Sequence, residues 1–310
     1  MKTFLAVLGP TASGKSALGL ALAERLGGEI VNCDSTAVYR GLDIGTDKVL
    51  PSARGGIAHH LIDIAHPAET YTAARYAADA ARAVRDIEAR GRVPIVVGGT
   101  GFYYRALTRG LFPGPARDGS MRDRLHAVAE RKGPERLHRW LSRVDPASAA
   151  RIQPRDTKRM VRALEVYLLT GRPLTAHFDD TRKPLPEFEP VAVGLAPDRA
   201  LIAERVARRV DQQFARGIVG EIQALMAAGV PRTAHAFSGL VYRQVIEMLE
   251  GVRGEAETKA LIVQENLRYA RRQLIWFRKE PNLRWIPAAG ERDDTLQTAL
   301  EMITGRAGRP

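Results

Sequence analysis

Residues 3–16, TFLAVLGPTASGKS, carry the strongest structural signal in the chain. The apolar run 3–8 has the length and composition of a buried strand, and residues 16–26 have a helical pattern that ends at Gly27. Between these two elements, residues 9–16 match the pattern G-x-x-x-x-G-K-[ST]. A preceding strand and a following helix are the context that this pattern requires, so the sequence predicts a loop that binds a phosphate group.

Each residue type in this loop has a physical part in holding phosphate. Glycines let successive backbone N–H groups point at phosphate oxygens, and the following helix adds its positive end. Lys15 would contact the terminal phosphate, and the Ser16 hydroxyl would hold Mg²⁺. The predicted phosphate-binding residues of the loop are Gly9, Thr11, Ala12, Ser13, Gly14, Lys15 and Ser16.

Strands and helices alternate through the first hundred residues. Residues 29–33 and 93–97 have the pattern of buried strands, and a helix is predicted over about 72–90. Such alternation predicts an α/β fold of the P-loop NTPase-like type, a parallel sheet flanked by helices. Ligands of these sheets bind at the carboxyl ends of the strands, where Asp34 and Thr100 follow. We therefore expect both residues beside the phosphate loop.

Asp34 is the candidate acidic group of this site. A nucleotide hydrolase usually has an aspartate at the end of a later hydrophobic strand, but here residues 94–97 lead into Gly98-Gly99-Thr100-Gly101. An aspartate opposite a bound phosphate leaving group can accept a proton from a nucleophile, which suits group transfer by displacement. A helix cap or a metal ligand is the alternative role for Asp34.

The sequence pattern changes at about Pro113. Segments rich in proline and glycine, 113–120 and 182–190, bracket a region with helical patterns only. We predict an all-helical insertion over 114–188 between two halves of one core, 1–113 and 189–310. The predicted helices of the insertion are 121–131, 134–143, 146–152 and 156–170; a strand at 191–195 and helices at 198–216 and 219–228 follow in the core.

The composition is that of a basic protein. Arginine accounts for 39 of its 47 basic residues, and the net charge is +12. This excess favours a polyanionic partner such as nucleic acid, although genome composition and a solvated surface are an open alternative. The apolar runs are too short to cross a bilayer, and the single cysteine, Cys33, excludes an internal disulfide framework. We expect a cytoplasmic protein without a membrane partner, and take a monomer as the default.

Several further motifs carry a resemblance to a known family. The motifs are GPTASGKS (9–16), NCDSTAVYRGLDIGTDK (32–48), HHLID (59–63), VGGTGFYYRAL (97–107), KRMVRALEVYLLTG (158–171) and ARRQLIWFR (270–278). In these motifs the chain resembles the tRNA dimethylallyltransferases, also called tRNA isopentenyltransferases. The phosphate loop is shared with many families, whereas DS-x-x-x-Y-x-G-x-DIGT-x-K followed by GGT-x-x-Y and RALEV is far more specific.

The resemblance implies a reaction and a role for several residues. The exocyclic amine of the adenosine immediately 3′ of the anticodon attacks C1 of dimethylallyl diphosphate, and diphosphate leaves. Asp34 matches the general base, Thr100 a residue that steadies the base or the amine, and Arg209 an arginine that reaches the diphosphate, which the phosphate loop holds with Mg²⁺. The helical insertion would then bind the anticodon stem-loop. The implied tRNA contacts are Asp34, Ser35, Thr36, Ala37, Tyr39, Arg122, Lys158, Arg159 and Arg162.

The chain departs from the family's usual pattern at three places, and other functions remain open. Gln153-Pro154-Arg155 stands where His-Pro-Asn is common, Val49 replaces a proline, and Val241 replaces a glycine. These departures bear on tRNA contacts, because they lie outside the phosphate loop and the proposed base. The alternatives are a small-molecule kinase that binds ATP tightly, a prenyltransferase acting on free AMP or ADP, and an RNA-binding protein without enzymatic activity.

Overall fold

A six-stranded sheet organises the computed structural model, which describes residues 1–305. The strands are β1 (Lys2–Leu8), β2 (Gly28–Asn32), β3 (His59–His60), β4 (Val93–Gly98), β5 (Phe188–Leu195) and β6 (Leu283–Ile286). Every pairing between neighbouring strands is parallel, and their spatial order is β3-β2-β4-β1-β5-β6. The parallel sheet predicted from the alternation of strands and helices is therefore confirmed.

Helices cover the sheet and form the insertion. Those of the core are α1 (Lys15–Leu26), α2 (Ala73–Ala89), α3 (Gly101–Arg109), α8 (Arg199–Ala215), α9 (Ile218–Ala227), α10 (Leu240–Leu249), α11 (Glu255–Phe277) and α12 (Asp293–Thr304). Those of the insertion are α4 (Gly119–Lys132), α5 (Pro134–Val144), α6 (Pro146–Arg151) and α7 (Thr157–Thr170). The helices predicted from the sequence are all present, with ends shifted by one or two residues. None of the helices within residues 1–305 is long and apolar enough to span a membrane.

The central strand β1 explains why the fold forms around the opening sequence. Alternate residues of a strand point to opposite faces of the sheet. Phe4 and Leu8 therefore join one buried cluster, with residues of α2, while Leu5 and Val7 join another, with residues of α1 and α12. A strand buried on both faces needs a continuous apolar run, which is what residues 3–8 provide.

The chain divides into two compact units. One unit consists of Met1–Thr108 and the chain from Pro184 onward, and the other is Arg109–Lys183. The second unit has its own apolar core, drawn from α4 to α7; its fully buried side chains include Leu137, Leu141, Met160 and Leu164. This core agrees with the helical character predicted for the insertion.

The limits of the second unit differ from the predicted limits, 114 and 188. At its two ends the backbone of Gly110 packs so closely on Arg182 that a Cβ on Gly110 would lie 2.0 Å from the Arg182 carbonyl oxygen. The two connecting segments therefore already run side by side at Gly110, before the first proline-rich segment begins at residue 113. At the other end, Phe188 is the first residue of β5 and belongs to the sheet.

Candidate active site

The carboxyl ends of β1, β2 and β4 meet at one cleft, as the strand order requires. The cleft encloses about 440 Å³ and is also lined by residues of α8 and α11. Of the predicted site residues, Thr11, Ala12, Lys15, Ser16, Asp34, Ser35, Thr36, Ala37 and Arg209 line it. The structure thus brings the phosphate loop, the candidate base and the predicted arginine together.

The phosphate loop has the backbone geometry of an anion-binding turn. Its φ angles are positive at Gly9 (148°), Ala12 (61°) and Gly14 (85°), and Gly14 caps the N-terminus of α1. Positive φ angles interspersed with negative ones arrange successive N–H groups in a concave row that binds phosphate. The buried Ser13 hydroxyl donates to the Pro10 carbonyl at 2.9 Å and closes the turn from inside.

Lys15 is the ionisable side chain of this loop, and its pKa is shifted from the usual value. Its ammonium donates to the Pro10 carbonyl of its own loop. Burial and, to a smaller extent, the nearby charge of Arg209 lower the pKa of Lys15 to about 8, with Asp34 opposing the shift. An anionic ligand would relieve both unfavourable effects, so the Lys15 ammonium is suited to bind phosphate.

Arg209 extends from α8 to the same loop. Its Nη1 donates to the Thr11 hydroxyl at 2.9 Å, and its Nε lies 3.1 Å from an Asp47 carboxylate oxygen. Arg216 contacts the same carboxylate at 3.5 Å. The guanidinium of Arg209 is therefore held beside the phosphate loop, where the resemblance expected an arginine.

Asp34 uses its two carboxylate oxygens differently. Oδ1 accepts hydrogen bonds from the Thr36 amide at 2.8 Å, the Thr36 hydroxyl at 2.6 Å and the Ala37 amide at 3.4 Å. This is the capping role that was the alternative for Asp34, and it involves one oxygen only. Within residues 1–305 no group donates a hydrogen bond to Oδ2, so this oxygen is able to accept a proton from a substrate in the cleft.

Thr100 fixes the backbone that follows Asp34. Its hydroxyl oxygen accepts the Ser35 amide hydrogen at 3.1 Å, and its own amide donates to the Cys33 carbonyl at 3.1 Å. Burial and, to a smaller extent, the charge of Asp34 raise the pKa of Tyr269 to about 12, and a hydrogen bond with Thr100 opposes the shift. Thr100 thus connects β4 to the Asp34 turn and to a tyrosine of α11.

Tyr39 is buried, as are its neighbours Ala37 and Val38 on the same segment. Only 1% of its surface is exposed, and its hydroxyl accepts the Tyr71 amide at 3.1 Å and lies 3.1 Å from His235 Nδ1. The resemblance implied a contact between Tyr39 and tRNA. The structure instead places Tyr39 in the core beneath the segment, with its hydroxyl group hydrogen bonded to the protein.

Lys48 anchors the far end of this segment. Its side chain is 3% exposed, and its ammonium contacts the carboxylates of Asp43 (2.7 Å) and Asp63 and the Tyr39 carbonyl (2.6 Å). A buried ammonium requires such partners, because an unpaired charge away from water is costly. The DIGT-x-K motif therefore ends on a residue that stabilises the loop between β2 and β3.

Two of the four predicted tRNA-binding residues of the insertion are engaged by a buried carboxylate. Glu165 on α7 accepts two hydrogen bonds from Arg122, at 2.9 and 3.0 Å, and one from Arg162 at 2.7 Å. Burial alone would raise the pKa of Glu165, but these arginines and the Asp118 amide lower it below its usual value. Arg122 and Arg162 thus stabilise the helical packing.

The other two residues lie at the surface of the insertion. Lys158 and Arg159 are both exposed near the start of α7, and Arg159 pairs with Asp156 at 2.9 Å. An exposed surface pair of this kind is weak, so it leaves the guanidinium accessible to another anion.

One wall of the cleft was not predicted to be part of the site. Tyr269, Arg272 and Gln273 of α11 line it, and the Arg272 guanidinium lies 5.7 Å from the centre of the Tyr269 ring. Arg272 and Gln273 belong to the motif at 270–278, which carries part of the family resemblance, and Tyr269 directly precedes it. No local pattern indicates that a helix so distant in sequence meets the phosphate loop.

Fold and site define a class of protein: a P-loop-type α/β protein whose cleft brings a carboxylate and a candidate phosphate-binding loop together. This arrangement suits group transfer from a phosphate ester. A family model described as IPP transferase matches residues 37–280. The chain belongs to this family.

Individual relatives are similar over nearly the whole chain. The tRNA dimethylallyltransferase of Koribacter versatilis is 45% identical over 297 residues, 96% of each chain, and that of Solibacter usitatus is 46% identical over 308 residues, 98% of this chain and 99% of its own. The crystal structure of the tRNA isopentenylpyrophosphate transferase from Bacillus halodurans has a TM-score of 0.72 and 35% identity, with coverages of 99% and 96%. A eukaryotic dimethylallyltransferase acting on tRNA has a TM-score of 0.79 and 25% identity, with coverages of 100% and 81%.

Proposed function

We propose that this protein transfers a dimethylallyl group from dimethylallyl diphosphate to the N6 amine of the adenosine immediately 3′ of the anticodon in tRNA, and releases diphosphate. The observation that carries the proposal is the meeting of the phosphate loop and the Asp34 carboxylate in one cleft. The names of the relatives support the choice of donor and acceptor.

Leaving-group stabilisation is the first task of the site. As the bond between C1 and the bridging oxygen breaks, negative charge develops on the diphosphate. Lys15, Arg209 and the loop amides are arranged to neutralise this charge without reorganisation.

Mg²⁺ is the proposed cofactor, and the residues present fit it. The Ser16 hydroxyl is exposed at the first turn of α1 and is the protein ligand. Residues 1–305 contain no group of three or more His, Cys, Asp or Glu side chains placed to hold a metal. This agrees with Mg²⁺, which is commonly held by few protein ligands together with substrate phosphates and water. The ion would supply additional positive charge to the diphosphate oxygens.

Proton acceptance is the task of Asp34. A neutral adenine amine is a weak nucleophile, so orientation and removal of its proton must lower the barrier. As the bond from N6 to C1 forms, the amine proton passes to Asp34 Oδ2, while the bonds of Thr36 to Oδ1 keep the carboxylate in place.

Access to the amine requires the target adenosine to leave its stack. A base inside a stacked loop cannot reach a donor held in a cleft, so it must be flipped out. Anticodon loops are single stranded, and proteins read RNA sequence mainly in such loops. Lys158 and Arg159 of the insertion are the proposed contacts with the phosphates of the stem-loop.

The test is transfer of label from dimethylallyl diphosphate in the presence of Mg²⁺. Unmodified tRNA, free AMP, and ATP with small-molecule acceptors are offered in parallel to the wild type and to Asp34→Asn. Label should enter tRNA only, and Asp34→Asn should lower the rate by about a hundredfold or more, as expected of a general base. Asp211→Asn, at an exposed position of α8, is the control and should be as active as the wild type.

Other outcomes identify the alternatives. Label in AMP but not in tRNA would indicate a nucleotide prenyltransferase. Phosphoryl transfer from ATP without prenyl transfer would indicate a kinase. Binding of tRNA without either reaction would indicate an RNA-binding protein, and each of these results would contradict the proposal.

A further inference from the structure

Gln273 connects two loops that are remote from it in sequence. It is 6% exposed on α11, and its Oε1 accepts the Thr11 amide hydrogen at 2.8 Å while its Nε2 donates to the Gly99 carbonyl at 2.9 Å. One amide orientation alone satisfies both partners, because an N–H must meet an acceptor and a carbonyl oxygen a donor. A single buried side chain thus bridges the phosphate loop and the loop after β4.

The steric fit around Gln273 is as close as its hydrogen bonding. A Cβ on Gly99 would lie 2.4 Å from Gln273 Nε2, and a Cβ on Gly101 would lie 2.1 Å from a ring atom of Trp276. Real Cβ atoms do not approach other atoms so closely, so a side chain at residue 99 would displace the Gln273 amide and one at residue 101 would clash with the Trp276 ring. Helix α11 therefore packs directly on the backbone of residues 99–101.

The hydrogen bonds of Gln273 complete a series of contacts that joins the phosphate loop and Arg209 to the proposed general base, Asp34. On one side is Thr11, whose hydroxyl accepts a hydrogen bond from Arg209. On the other side is Gly99, which precedes Thr100, and the Thr100 hydroxyl accepts the amide hydrogen of Ser35, next to Asp34. Each link in this path is a hydrogen bond or a peptide bond.

We propose that Gln273 is a positioning residue that sets the separation between the phosphate loop and the Asp34 turn. The inference rests on the proposed function, because this separation then fixes the distance between the carbon attached to the leaving diphosphate and the amine that loses its proton. Gln273 does not itself bind the diphosphate, which the loop amides, Lys15 and Arg209 hold. Its loss should therefore lower kcat and change the KM for the prenyl donor little.

The experiment compares three variants. Gln273→Met keeps the length of the side chain and removes both hydrogen bonds. Gln273→Glu keeps an acceptor for Thr11 but, while ionised, lacks the donor for Gly99. The matched control is Gln244→Met, since Gln244 on α10 is also buried (3% exposed) and also uses both ends of its amide, with Glu265 at 3.0 Å and Arg253 at 2.7 Å.

The readouts are kcat, the donor KM and amide hydrogen exchange. For Gln273→Met we expect kcat to fall roughly ten- to a hundredfold, as a misplacement of about 1 Å allows, and the donor KM to stay within about threefold. Exchange of the Thr11 amide should become at least about tenfold faster, because this amide loses its acceptor. Gln244→Met should retain the kcat and the Thr11 exchange rate of the wild type.

Gln273→Glu provides the conservative comparison. Its activity relative to the wild type should rise as the pH falls, because protonation of the carboxyl restores a donor to Gly99. This pH dependence separates positioning from a general loss of stability, and it gives the answer if Gln273→Met does not fold.

Three results would overturn the inference: an unchanged kcat in folded Gln273→Met, a raised donor KM at unchanged kcat, or an equal loss in Gln244→Met. A wild-type protein that transfers no prenyl group would contradict the proposed function separately. In that case the Thr11 exchange rate still shows whether Gln273 couples the two loops, because this measurement needs no turnover.

Discussion

The two carboxylate oxygens of Asp34 have different roles: Oδ1 bonds to the turn that carries Asp34, and Oδ2 is available to a substrate in the cleft. The bonds to Oδ1 from Thr36 and Ala37 hold the carboxylate in one orientation, so Oδ2 points to a fixed place. An amide side chain can still accept these hydrogen bonds but cannot take the proton of a substrate. Asp34→Asn should therefore remove the proton acceptor and leave the fold of the turn intact.

Lys15 should make binding of the diphosphate group depend on pH. Burial and the charge of Arg209 lower the pKa of Lys15 to about 8, so in the free protein the ammonium is present below this pH and lost above it. We expect the affinity for inorganic diphosphate to decrease as the pH rises through 8, relative to Lys15→Arg, whose guanidinium stays charged. Isothermal titration calorimetry between about pH 6.5 and 9.5 measures this affinity. Protonation of diphosphate itself affects both proteins equally, so it cancels in the comparison. Parallel affinity curves would contradict the assignment.

Residue types were predictable from the motifs, whereas the contacts of each side chain were not. The loop pattern and the strand-end rule located Lys15 and Asp34, because both rest on local geometry. Tyr39 and Arg162 belong to equally specific motifs, but their polar groups are engaged by Tyr71 and Glu165. A motif shows which residues occur together and does not show whether they face a ligand or the core.

Among the elements, length determined what could be predicted. β1 and β4 have continuous apolar runs, and both were predicted correctly. β3 has two residues and β6 has four, at opposite edges of the sheet, so neither contains enough residues for a periodic signal. Helix α11 contains one of the family motifs, but its approach to the phosphate loop depends on tertiary packing and has no local signature.

Helix α7 provides the prediction at this scale. Replacing Glu165 by Gln removes the charge that pairs Arg122 and Arg162, and it should lower the free energy of unfolding of the insertion by about 1–3 kcal/mol, the cost of losing hydrogen bonds to a charged group. Native-state hydrogen exchange of α7 measures this change. Glu130→Gln, at an exposed position of α4, is the matched control and should have no effect.

The same substitution has a defined pH dependence. The pKa of Glu165 is lowered in the folded protein, so its stabilising contribution is complete above the ordinary glutamate pKa and is lost as the pH falls through the lowered value. The stability difference between the wild type and Glu165→Gln should therefore be constant near neutral pH and disappear in acid. If the stability difference persists in acid, the shape of the side chain and not its charge would be the cause.

For the molecule as a whole, net charge was the sequence signal, apart from the family motifs, that concerned the partner. A charge of +12 predicts attraction to a polyanion but does not identify the residues responsible. The structure separates the four predicted tRNA-binding residues of the insertion into two groups. Arg122 and Arg162 are paired with a buried carboxylate, whereas Lys158 and Arg159 are exposed.

This division makes tRNA binding testable through its salt dependence. Each phosphate contact releases counterions and contributes about 0.7–0.9 to the slope of log affinity against log salt concentration. Lys158→Ala should therefore lower the slope by about one and weaken binding at low salt. Filter binding of tRNA over a series of salt concentrations measures both quantities.

Arg122→Ala should behave differently, because its charge is already neutralised by Glu165 at 2.9 and 3.0 Å. We expect the slope of the wild type in this variant, together with a less stable insertion, since removal of one partner leaves a buried carboxylate short of donors. A slope lowered as much as in Lys158→Ala would mean that Arg122 leaves Glu165 to reach a phosphate, and that the insertion rearranges when it binds tRNA. Unchanged slopes in both variants would place the phosphate contacts elsewhere on the protein.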